Sequence, residues 1–175
     1  MRRIAVEWIN STGGPLICAE RDIATQWMGS HGLSAVHHAA KSDYERACTT
    51  CEYLQHIPCG TGEVLVLGDE PLQSAFLTER VGQPIIARWV YAQSRQAAEA
   101  ALAKDLAEAS EISPKIKFQV NDELIVLFDS VFLGSDITQA VTSSIEAGPY
   151  EVTTEKLEVK GAYSFLIHRF VKQSS

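Results

Sequence analysis

Four soft metal donors fall within twelve residues, as Cys48-x-x-Cys51 followed by His56-x-x-Cys59. Zinc is held by such thiolate and imidazole sets, but a tetrahedral site wants a longer loop to carry the second pair back onto the ion. Cys48 and Cys51 also share one side of a predicted helix with Tyr44 and Ala47. In that setting free cysteines read as small core residues. A zinc-dependent interaction module is therefore an alternative reading of this segment.

A second set is acidic. Val64-Leu65-Val66-Leu67 runs directly into Gly68-Asp69-Glu70-Pro71. An unbroken apolar run closed by turn residues reads as a strand buried on both faces. Gly68 allows backbone angles closed to other residues, and Pro71 fixes φ and removes a donor, so the strand stops there. It leaves Asp69 and Glu70 at its carboxyl end. Adjacent carboxylates can perform acid–base work. With Arg88 from a neighbouring strand they would define the cleft of a small enzyme or ligand-binding domain. The plainer reading is turn capping or an ion pair with Arg88. Asp69, Glu70 and Glu79 are the candidates for contact with a protein partner.

The other reactive side chains carry less. His37-His38 with Cys18, Cys48 or Cys59 would make a Cys/His nucleophilic pair, but no local signature marks one. Ser11, Ser130 and Ser164 lack the context of a nucleophile elbow, and Asp129 closes a strand. Gly13-Gly14-Pro15 is glycine-rich, yet a phosphate cradle wants spaced glycines and a following helix, whereas another β-like run follows here. No catalytic, cofactor-binding or metal-binding residue is assigned.

The chain must supply elements to carry these groups. Its 175 residues are 46% hydrophobic and 21% charged, enough for a sizeable core. Its 15 basic and 22 acidic residues give a net charge of −7. That balance disfavours a phosphate-backbone partner and suits a basic protein. No apolar run reaches the ~20 residues needed to span a bilayer, and Glu7 and Asn10 break up the apolar start, so a cytoplasmic protein is expected. Four cysteines are too few for a disulfide scaffold.

In order, strands are expected at 4–9 and 16–18, joined by a tight Gly-Gly-Pro reversal. A short helix capped by Asp22 follows, and then one capped by Asp43. The 64–67 strand leads to a strand or short helix at 72–77, and then to a strong strand at 85–91 lying beside it. Ser94 caps a helix to about Ser110, with Ala98, Leu102 and Leu106 inward and Arg95–Glu99 and Lys104–Glu108 as outer pairs. Pro114 ends this region. Residues 116–120 and 124–128 suggest a hairpin at Asn121-Asp122, and 150–159 and 162–171 suggest another at Lys160-Gly161. Trp8, Trp27 and Trp89 are expected in the core. The fold class is α+β, with mixed or antiparallel sheets, a few helices and a β-rich C-terminal third. It is read as one domain over 1–175, with 1–113 and 114–175 as candidate lobes.

Several of these pieces combine. Trp8-Ile9-Asn10-Ser11-Thr12-Gly13-Gly14-Pro15-Leu16-Ile17, Trp27-Met28-Gly29, Asp43-Tyr44-Glu45-Arg46-Ala47-Cys48, Val66-Leu67-Gly68-Asp69-Glu70-Pro71, Ala87-Arg88-Trp89 and Leu127-Phe128-Asp129-Ser130 occur in this order. At these separations the chain resembles the immunity protein 21 family of bacterial polymorphic toxin systems. The resemblance implies an α+β cytoplasmic protein that protects its producer by binding a cognate toxin. It implies no catalytic residues; no cofactor is expected either. The 30–41 stretch and the cysteine-rich segment depart from the family pattern.

Overall fold

The computed structural model describes residues 6–34, 40–68, 70–80, 82–136, 138 and 140–174, the side chains of residues 79 and 80 excepted. In chain order the elements are β1 (Trp8–Ile9), β2 (Leu16–Glu20), α1 (Arg21–Ala24), α2 (Asp43–Cys48), β3 (Gln55–Cys59), β4 (Gly62–Leu67), β5 (Gln73–Arg80) and β6 (Gln83–Ala92). Then come α3 (Arg95–Asp105) with a 3-10 turn at Leu106–Glu108, β7 (Ser110–Glu111), β8 (Ile116–Val120), β9 (Leu124–Asp129), β10 (Val141–Ser144), β11 (Gly148–Val159) and β12 (Tyr163–Lys172). The fold is α+β and strand-rich, with 46% of the described residues in strands against 15% in helices.

The strands form two antiparallel sheets. One has the order β1-β5-β6-β12-β11-β7, with β8 also paired to β11; the other has the order β10-β9-β2-β4-β3. They pack face to face. Leu16, Cys18, Leu65, Leu67, Ile125 and Leu127 of the smaller sheet share a core with Ile86, Phe118, Tyr150, Val152 and Phe170 of the larger. Helix α3 covers the outer face of the larger sheet, setting Ala98, Ala101 and Leu102 against Ile85, Ala87, Phe165 and Ile167. Its alanines permit that close approach. The outer face of the smaller sheet is closed by Ala24, Trp27 and Ala47 over Ile17, Val64, Val66 and Phe128. Side chains alternate along a strand, so one covered face buries only every second residue. Both faces of both sheets are covered here, which is why Val64 to Leu67 can be apolar without a break.

The strands themselves match the sequence reading better than their partners do. Strand β6 does not lie beside β4: it pairs with β5 and β12 in the other sheet. Nor do β8 and β9 form a hairpin. They are joined at Asn121-Asp122, but β8 pairs with β11 and β9 with β2 and β10. The Gly-Gly-Pro segment likewise carries the chain from one sheet to the other, since β1 pairs with β5 and β2 with β4. Each reading assumed that sequential strands pair, and a two-sheet stack breaks that assumption wherever the chain crosses. Residues 55–59, unassigned from sequence, form the edge strand β3, where Pro58 is tolerated. Both 1–113 and 114–175 contribute strands to both sheets.

Helix starts differ in detail. Ser42 caps α2 and forms a reciprocal capping box with Glu45, while Asp43 lies inside the helix, buried. Glu20, not Asp22, precedes α1. Ser94 does cap α3, accepting from the Ala97 amide. That helix stops at Asp105, so Lys104 lies 3.6 Å from Asp105 and does not reach Glu108 one turn on. No helix among the described residues is long and apolar enough to cross a membrane.

Candidate functional site

Alternation along β6 turns Ile86 and Arg88 toward the smaller sheet and Ile85, Ala87 and Trp89 toward α3. Arg88 is thereby carried into the space between the sheets, with 1% of its surface exposed. Its guanidinium reaches across to the end of β4. Nη2 donates to the carbonyls of Gly68 at 2.7 Å, Glu70 at 2.6 Å and Leu67 at 3.4 Å, and Nη1 donates to Tyr53 at 3.1 Å. A planar fork of donors can serve several carbonyls at once, and the charge strengthens each bond. The Gly68 turn and the Tyr53 loop are thus tied to the opposite sheet. Gly68 does not adopt the positive φ that only glycine takes readily; glycine is needed there because a Cβ would lie 2.2 Å from the Glu52 carbonyl oxygen.

His168, on β12, lies in the same interior. Its Nδ1 is 3.0 Å from the Thr154 hydroxyl, and burial together with the Arg88 charge holds it well below the usual histidine range. The imidazole is neutral there, because a second cation beside Arg88 without solvent is unfavourable.

The structure separates the acidic candidates. Asp69 lies outside the described residues. Glu70 is exposed, and its carboxylate makes no ion pair among the described residues. Glu79 is carried near the far end of β5, six residues past Gln73, or about 20 Å along the strand. Glu70 and Arg88 do not converge on a cleft: Arg88 binds the Glu70 carbonyl from inside, and the Glu70 side chain is outside.

Above this clamp is an open depression of about 390 Å³ between the Tyr53 and Glu70–Leu72 segments on one side and the end of β6 with the β11–β12 hairpin on the other. Its lining includes Tyr53, Glu70, Val90, Tyr91 and Val159. Sequence reasoning assigned Val90 and Tyr91 to a strand and gave them no role. The pairing of β6 with β12 shifts here: Trp89 faces Phe165 while Tyr91 faces Ser164, so Val90 is the extra residue of a bulge. A bulge re-aims side chains, and alternation in the sequence gives no sign of it.

The cysteine set is not brought together. Cys48 and Cys51 are exposed, Cys51 because α2 ends before it, so the core reading of this pair is wrong. His56 is exposed on β3, 2.9 Å from Glu63. Cys59 is buried, and desolvation pushes its thiol up to about 12. Burial raises Cys18 as well. Among the described residues no group of three or more His, Cys, Asp or Glu side chains is arranged to hold a metal ion. His37 and His38 lie outside the described residues.

The remaining motif residues hold one another. The Asp129 carboxylate accepts from the Thr12 amide at 2.6 Å, the Thr12 hydroxyl at 2.8 Å and the Val131 amide at 3.1 Å. Trp27 donates its indole N–H to the Ser130 carbonyl at 2.9 Å, and Asp43 accepts from the Met28 amide at 2.8 Å. Gly14 lies under the Tyr44 ring, where a Cβ would come within 2.5 Å. Trp27 is buried, whereas Trp8 and Trp89 are partly exposed and stack edge-on at 5.5 Å. These contacts fasten the Gly-Gly-Pro segment, the 27–29 corner and α2 to the end of β9, which is an architectural role.

Among known families, the model described as Immunity protein 21 matches residues 7–162. No curated protein and no solved structure matches the chain significantly.

Proposed function

Because the chain belongs to the immunity protein 21 family, we propose that it binds and neutralises a cognate bacterial toxin domain by covering it, with no bond made or broken by its own side chains. Residues 1–175 act as one immunity-type domain in the cytoplasm of the producing cell. The observation that carries this reading is the family match across most of the chain. The net charge of −7 supports a basic toxin, because an acidic surface steers a basic partner during encounter. The partner residues put forward are Asp69, Glu70 and Glu79, each able to pair with a cation at the rim of an interface. The rival reading, a cleft enzyme built on Asp69, Glu70 and Arg88, needs the Arg88 guanidinium at the surface, and it is spent inside on backbone carbonyls.

Co-expression tests the proposal. Cells carrying the toxin encoded beside this chain are expected to survive only when the chain is present, and a tag on either protein is expected to bring down the other. Death at the same rate with and without the chain, together with no copurification, would overturn it.

A further inference from the structure

The exposed large apolar side chains are unevenly distributed. Of the seven among the described residues, Val90, Tyr91 and Val159, at 45%, 47% and 48% exposure, all line the one depression. Apolar and aromatic surface gathered in a concavity, with polar groups at its rim, has the composition of an interface core. It is also preorganised. The Arg88 clamp fixes the Tyr53 and Glu70 wall from below, and the paired β11–β12 hairpin fixes the other. Little ordering would be needed on association, which favours affinity.

The charges at the rim restrict the occupant. Glu158 is already committed, 3.0 Å from Lys156, and that bond holds its carboxyl below the usual range. Glu70 has no such partner among the described residues. Lys160, in the turn between β11 and β12, also lines the depression, on the wall across from Glu70. On the wall beside Tyr53 the Glu70 carboxylate thus stands without an ion-pair partner among the described residues, in a depression that Tyr53 and Tyr91 also line. A guanidinium suits that pairing better than an ammonium, since it stacks on a ring and forks a carboxylate at once.

Resting on the inhibitor reading above, we infer that this depression is the face on which the toxin domain docks, through a basic protrusion that sets an arginine side chain against Tyr91 and Glu70. Tyr91 is the anchor, Val90 and Val159 exclude water around it, and Glu70 supplies the charge. This deepens the earlier proposal by placing the contact at one end of the larger sheet and leaving Glu79 outside it.

The experiment is calorimetric titration of the toxin domain encoded immediately upstream into the wild-type chain and into Tyr91→Ala, Val159→Asp, Glu70→Gln and a control, Val171→Ala. Val171 is also exposed, at 41%, but lies at the opposite end of β12. Tyr91→Ala and Val159→Asp are expected to weaken binding by about tenfold or more, as loss of a central anchor does. Glu70→Gln is expected to weaken binding at low salt and flatten the salt dependence of the affinity, and the control to stay within about twofold. All four sites are at the surface, so melting temperatures should hold, and if Val159→Asp fails to fold, Tyr91→Ala decides. Wild-type binding that survives Tyr91→Ala unchanged would overturn the docking face while leaving the inhibitor reading intact. Absence of binding by the wild-type chain would overturn both.

Discussion

Replacing Arg88 by methionine removes one side chain and leaves four carbonyls to find other donors. The two short bonds, 2.7 Å to Gly68 and 2.6 Å to Glu70, are the strong ones. A hydrogen bond to a charged group contributes about 1.5–3 kcal/mol, and a buried carbonyl left without a donor costs about 1–3 kcal/mol. Two effects offset this. The guanidinium no longer has to be desolvated, which returns part of the loss. Water can also reach the Glu70 and Tyr53 carbonyls, which lie toward the surface. Those at Leu67 and Gly68 are deeper, and their residues are buried. The net expectation is a loss of about 3 kcal/mol, equivalent to about 6–12 °C in melting temperature for a chain of this size. Arg88→Lys keeps the charge but not the fork, and should fall between the two. The assay is urea denaturation, with amide exchange at Leu72 as a local readout because its N–H bonds the Glu70 carbonyl at 2.8 Å. Leu72 exchange should accelerate more than the global loss accounts for. Methionine at 88 costing under about 1 kcal/mol, or lysine and methionine giving equal stability, would refute the clamp.

The other expectations are narrower. His168 stays neutral in the folded chain well below its ordinary 6.5, while the unfolded chain takes up the proton near that value. Unfolding below 6.5 therefore binds a proton, so stability holds above that pH and falls as the pH drops; His168→Gln should flatten the fall in urea melts between about pH 8 and 5, and an unchanged slope would count against it. Gly134→Ala sets a Cβ 1.6 Å from the Ala24 carbonyl oxygen, which is backbone and cannot swing aside. A loss of about 3 kcal/mol is expected by thermal melt, and less than about 1 kcal/mol would contradict this close approach of Gly134 to α1. A thiol reagent should modify Cys48 and Cys51 quickly in the native protein, and Cys18 and Cys59 only after unfolding. Four equally fast thiols would contradict the burial of the second pair.

Much of the architecture could be read from residue order alone. The unbroken Val64 to Leu67 run implied burial on both faces, and the two covered sheets provide it. The Ser94 cap, the Ala98–Leu102–Leu106 stripe and the long 150–171 hairpin followed from local chemistry, as did the place of Asp129 at a strand end. Pairing across the two sheets did not. Asn121-Asp122 looks like a hairpin turn from within its own few residues, and only the partners of β8 and β9 show it to be a crossover. The proposed docking face was hidden for a related reason. Val90 is turned out by a one-residue slip against β12, and Arg88, an obvious surface candidate by residue type, is drawn inward by carbonyls distant in sequence. The acidic candidates were chosen by charge, but the length of β5 sets Glu70 and Glu79 far apart.

The central claim is that this chain acts by occupying its partner. The most direct measurement is a titration of toxin activity with the purified chain at concentrations well above the dissociation constant. Stoichiometric occlusion predicts that activity falls in a straight line and ends at one equivalent. Complete loss of activity at a small fraction of an equivalent, as a catalyst would produce, would contradict it, and so would full activity at any ratio.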